Sequence, residues 1–182
     1  PTWSDAFRTG ENWYLYEDEH ARFKVEDHQL SMVALQTGAR NSWMLTYPTP
    51  INYYIEMTAT TSPCAGKDRY GFIIRTDVIS GYWFMFSCDG MYTVVAWDGA
   101  NEESTKLVDW TPSEYIQAGG EKTNRLGVRV KGNDFKLYAN GNLVDEVQDD
   151  TYIEGSFGVI IGAQKTQGFT VQVSEVSYWL LP

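Results

Sequence analysis

Residues 124–144 read NRLGVRVKGNDFKLYANGNLV. Leu126, Val128 and Val130 alternate with Gly127, Arg129 and Lys131. A period of two gives a strand one face for an apolar core and one for water. Gly132-Asn133 and Asn140-Gly141 interrupt the run, and such pairs supply the positive φ that tight hairpin turns require. The segment therefore reads as three short antiparallel strands, 125–131, 134–139 and 142–147, joined by two turns.

The same grammar runs outward in both directions. Phe169, Val171 and Val173 alternate with Thr170, Gln172 and Ser174 inside a candidate strand over 168–180. Further candidate strands lie at 13–16, 21–25, 29–35, 42–47, 51–60, 70–76, 81–88, 91–97 and 156–162. Thr37-Gly38, Pro48-Thr49-Pro50, Asp89-Gly90, Asp98-Gly99 and Gly119-Gly120 mark turns. Only TPSEYIQ, residues 111–117, offers a helical turn or two, with Thr111 or Ser113 as its cap. Many short strands and almost no helix predict an all-β fold, a two-sheet antiparallel β-sandwich of the jelly-roll type. No linker or repeat divides residues 1–182, which read as a single domain.

Composition narrows the partners. A net charge of −10 and no basic run argue against nucleic acid. No stretch has the roughly 18 consecutive apolar residues of a membrane helix. Aromatics make up 15% of the chain, including 7 Trp and 12 Tyr, which favours strands and flat binding surfaces. Pro1-Thr2 directly precedes strand-like sequence, as at a trimmed boundary, so an export signal could have been removed. The 2 cysteines are Cys64, in a turn-rich stretch, and Cys88, at the end of YWFMFSC. If 70–76 and 81–88 form a hairpin turning near Val78-Ile79, Cys88 faces residue 69, a short loop from Cys64. That predicts a disulfide and an oxidising compartment, secreted or at a cell surface. Two buried free thiols in a reducing compartment are the alternative.

The order of several motifs resembles a known family. WSDAFRTGENW (3–13), RYGFIIRTD with GYWFMFSCDGMYTV (69–94), the 124–144 hairpin and GSFGVIIG (155–162) follow one another. This order resembles the concanavalin A-like, laminin-G-like jelly rolls of bacterial exported proteins. The resemblance implies the sandwich fold, which hosts lectin-like modules, adhesins, structural domains and glycosidases. Many relatives hold a structural calcium with an Asp near the end of the chain. Here that stretch reads Val173-Ser174-Glu175. No cofactor or metal is expected, Asp5 and Glu175 being the carboxylates left for such an ion.

Catalytic patterns are sparse. Glycoside hydrolysis needs two carboxylates flanking the scissile bond, and no Glu here has an Asp two positions later. Glu56 is the one carboxylate well inside a candidate strand. The acidic pairs and clusters at 17–19, 102–103 and 149–150 fall at strand ends or loops and read as solvated charge. His20 and His28 lack a metal-ligand spacing. No nucleophile elbow, P-loop or dinucleotide fingerprint occurs. The expectation is that the chain is not an enzyme.

The segment Tyr70 to Trp97 carries the candidate site. With Phe72 and Ile74 facing the core, alternation sends Arg75 outward, where Trp83 and Trp97 would join it, with Tyr92 and Asp77 at the rim. Indole planes stack on the C–H faces of sugars and a guanidinium bonds hydroxyls or carboxylates. A strand apolar on both faces is equally what a covered central strand looks like. The leading reading is a non-catalytic carbohydrate-binding or cell-surface adhesion module whose partner is a glycan or polysaccharide. The alternatives are a structural subunit of an extracellular filament or surface layer, pairing through the terminal strand near Tyr178–Leu181, and a glycoside hydrolase or lyase with an atypical carboxylate pair.

Overall fold

The computed structural model describes residues 1–182. Its strands are β1 (Trp3–Asp5), β2 (Ala21–Glu26), β3 (Gln29–Ala34), β4 (Ser42–Leu45), β5 (Tyr53–Thr61), β6 (Arg69–Thr76) and β7 (Gly81–Ser87). They continue as β8 (Met91–Asp98), β9 (Glu103–Pro112), β10 (Thr123–Lys131), β11 (Asp134–Ala139), β12 (Asn142–Gln148), β13 (Ser156–Gly162) and β14 (Phe169–Leu180). One sheet of eight strands runs β12-β11-β10-β5-β14-β3-β2 with β1 added beside β14. The other, of six, runs β4-β13-β6-β7-β8-β9. All pairings are antiparallel. The all-β, two-sheet jelly-roll-like sandwich is the architecture that alternation predicted.

The inward faces interdigitate in a core of 37 buried residues drawn from both sheets. Leu126, Val128 and Val130 from β10 and Phe169, Val171 and Val173 from β14 lie there, as their spacing requires. Tyr70, Phe72 and Ile74 of β6 meet them from the opposite sheet.

Four local expectations change. Residues 13–16 form no strand; Trp13 makes only a bridge to Thr46. Residues 111–117 form no helix: Thr111 and Pro112 close β9, and Ser113 then accepts from the N–H of Ile116 in a turn. β9 itself reads as polar loop because it is an edge strand, exposed along Glu103–Lys106. The β6–β7 register is one residue off the expected one, pairing Arg69 with Ser87, so that Cys88 faces Asp68.

The terminal strand is not a free edge. β14 lies between β5 and β3 and also takes β1, with Trp3 stacked on Tyr178 at 5.7 Å and 18°. Its backbone groups are engaged over most of its length.

No helix is long and apolar enough to cross a membrane. The carboxylates suggested for calcium are hydrogen-bonded within the fold. Asp5 accepts N–H donors from Phe7, the Asn12 amide and the Trp13 indole, and Glu175 accepts from Ser177.

Candidate functional site

The six-stranded sheet has a second apolar cluster on the face turned away from the core. Along β7, Tyr82, Phe84 and Phe86 point inward, so Trp83 and Met85 must point outward. On β8, Val95 and Trp97 share that outer face, and Ile73 of β6 and Ile160 of β13 complete its floor. Trp43 and Leu45 from β4 and Trp110 from β9 pack around it. Trp83 and Trp97 stack at 4.8 Å and 22°, and Trp43 lies 5.9 Å from Trp83. No strand or loop layer lies over this floor; its own indoles bury it. Trp83 is only 8% exposed as a result, and the indole N–H groups of Trp83 and Trp97 have no partner.

A groove of about 720 Å³ lies over Trp83, Met85, Thr93 and Val95. Trp110, Ser104 and Lys106 of β9 form one wall. The opposite wall is loop, contributed by Gly38, Ala39, Asn41, Lys67 and Gln164, with Arg69 at its foot.

Three fastenings hold that wall. The disulfide Cys64–Cys88, with Cα atoms 6.0 Å apart, ties the 62–68 loop to the end of β7. Asp68 ties the same loop to residues 164–166, Oδ1 accepting from the N–H groups of Gln164, Lys165 and Thr166, while Oδ2 accepts from Ala65. Burial pushes the Asp68 carboxyl up, but these hydrogen bonds outweigh it and hold the group below the usual carboxylate range. Arg69 ties the 38–41 loop: Nε donates to Asn41 Oδ1 at 2.7 Å and Nη2 to the carbonyls of Gly38 and Arg40 at 3.2 and 3.0 Å. Burial pushes this guanidinium below its ordinary value, against the pull of Asp68. At the groove end, the Lys67 ammonium pairs with Asp89 and stands 5.7 Å from the Trp110 ring centroid.

The structure brings Trp83 and Trp97 together, turns Arg75 and Tyr92 to the inner side and leaves Asp77 exposed in the β6–β7 turn. Arg75 points into the core. It is the extra residue of a β-bulge, since β13 pairs Ser156 with Thr76 and Phe157 with Ile74. Its φ of 52° breaks the alternation that would have sent it outward. Arg75 is 3% exposed, donates to the Tyr152 carbonyl at 3.1 Å and lies 5.2 Å from the Phe135 ring centroid. Tyr92 is a core residue on the inner face of β8 whose hydroxyl donates to Asp145. Burial first, and Asp145 second, raise its pKa to about 12. Asp77 caps the β6–β7 turn, accepting from the N–H groups of Ile79 and Ser80.

Sequence reasoning missed Arg69, Lys67, Lys106, Trp43 and Trp110. Arg69 had a usable signal, because it shares the parity of Ile73 on β6. Trp110 and Lys106 lie on the strand that was not recognised. Glu56 faces away from the groove, on the outer side of the eight-stranded sheet, where it accepts from the Tyr54 hydroxyl and pairs with Arg125.

No family model and no curated protein matches this sequence. Solved structures do. A carbohydrate-binding module, CBM66 from Bacillus subtilis, is 16% identical with a TM-score of 0.69, over 91% of this chain and 96% of that one. The likeness is one of fold, a two-sheet antiparallel sandwich. The catalytic domain of an endo-1,3-β-glucanase from Thermotoga petrophila is 13% identical with a TM-score of 0.64, over 99% and 97% of the two chains. A GH43 protein from Bacillus licheniformis is 12% identical with a TM-score of 0.69; this chain spans 39% of its length. These likenesses support the sandwich without singling out the concanavalin A or laminin-G families. They also correct the expectation that the chain is not an enzyme. Several of the similar structures are glycoside hydrolases or other glycan-cleaving proteins.

Proposed function

We propose that this chain is a carbohydrate-active domain that seats a glycan in the groove on the outer face of the six-stranded sheet. The observation that carries the reading is the groove itself, with Trp83 in its floor, backed by the stacked Trp97, and the part-exposed Trp110 standing at its wall. Pyranose C–H faces pack on such rings while hydroxyls take up flanking polar groups, here Arg69, Asn41, Gln164 and Ser104. The paired cysteines support a secreted or surface location.

A second reading, cleavage of the bound glycan, is supported by the glycoside hydrolases among the similar structures. One panel of polysaccharides tests both, with tryptophan fluorescence reporting binding and reducing-end release reporting cleavage. Trp110→Ala is expected to weaken binding by about tenfold, the value of one stacking contact of roughly 1.4 kcal/mol. Unaltered binding by that variant would move the glycan off this face.

A further inference from the structure

The groove is charged against the rest of the molecule. The chain holds 24 Asp and Glu against 14 Lys and Arg, yet the groove is lined by Lys67, Arg69 and Lys106 and by no carboxylate. We infer that the groove selects an anionic glycan, one bearing carboxylate or sulfate groups; this rests on the glycan reading of the same groove.

Arg69 carries the argument furthest. It is 6% exposed and charged, and every acceptor it meets is neutral: the Asn41 side-chain oxygen and the carbonyls of Gly38, Arg40 and Lys67. Asp68 draws it electrostatically but spends its oxygens on backbone N–H groups, so no carboxylate bonds the guanidinium, and neutral dipoles replace only part of its lost hydration. An anionic group entering the groove adds a favourable charge where water is already largely displaced.

The two lysines extend the field to the rim. Lys67 is steadied by Asp89 over the Trp110 ring, and Lys106 pairs with Asp109 in an exposed contact that water and salt weaken. Cations of one sign gathered in a recess focus potential there. The net negative charge of the molecule disfavours a polyanion over the surface as a whole and makes this recess stand out.

The test is titration of the intact protein with polygalacturonate, chondroitin sulfate, laminarin and single-stranded DNA, read by tryptophan fluorescence. At about 50 mM salt, at least one anionic glycan is expected to bind about tenfold tighter than neutral laminarin, and about 0.5 M salt should abolish most of that margin. Preference for polygalacturonate assigns the group to a carboxylate, and preference for chondroitin sulfate to a sulfate. The double variant Lys67→Met/Lys106→Met should lose about tenfold for the anionic glycan. Its melting temperature checks folding, and the salt titration needs no variant at all. Laminarin binding as tightly, or affinity indifferent to salt, overturns anion selection and leaves the glycan reading intact. DNA binding as tightly overturns selection for a glycan. No fluorescence response to any polysaccharide overturns both readings.

Discussion

Arg75 and Arg69 lie six residues apart on one strand and face opposite ways. Unbroken alternation puts both on the outer face; the single extra residue at the bulge turns Arg75 into the core. A side chain other than glycine at φ 52° carries about 1 kcal/mol of backbone strain, held here by its contacts with Tyr152 and Phe135. Arg75→Ala is therefore expected to destabilise the fold by about 2 kcal/mol without changing glycan affinity, as chemical denaturation beside a binding titration would show. Trp83 differs from Trp110 in the same way. Trp83 is the buried centre of the outer cluster, so Trp83→Ala is expected to lose about 3–5 kcal/mol of stability. Trp110, at the wall and part-exposed, is the cleaner probe of binding.

At the scale of elements, the groove is a loop wall pinned to the end of a strand. Cys64 lies three residues before Lys67 and is bonded to the residue that follows β7. Closing that loop restricts the unfolded chain by about 3 kcal/mol and keeps Lys67 beside Trp110. The double variant Cys64→Ala/Cys88→Ala should unfold at correspondingly lower denaturant and bind glycan more weakly. Lost stability with unchanged affinity would show that Asp68 holds the wall without the disulfide. Strand β9 shows why the opposite wall was harder to read. An edge strand buries little, so NEESTKLVDW carries no alternating signal and takes its shape from β8.

For the whole molecule, acid is the weakness built into its hydrogen-bonded carboxylates. Asp68 and Asp149 are both held below the usual carboxylate range, in each case because hydrogen bonds outweigh burial. A depressed folded value contributes stability that is present above the unfolded value of about 3.9 and is lost as pH falls through the folded one. The melting temperature should hold steady above about pH 5 and drop below about pH 4. In Asp68→Asn, which starts from lower stability, that acid-dependent drop should be shallower. A parallel drop in both proteins would exclude Asp68 as its source.

The sequence by itself determined the sandwich, its inward faces on β10 and β14, the turns at 132–133 and 140–141, and the nearness of the two cysteines. Those features are set by side-chain period and turn chemistry, which act over a few residues. Only the tertiary structure decided which polar groups surround the tryptophans. Arg75 leaves the outer face because β13 pairs across a bulge, and β13 is some eighty residues further along the chain. Arg69, Lys67 and Lys106 converge because β6, a disulfide-held loop and an edge strand become neighbours. Charge in a groove is a property of packing between distant segments, and no local period encodes it.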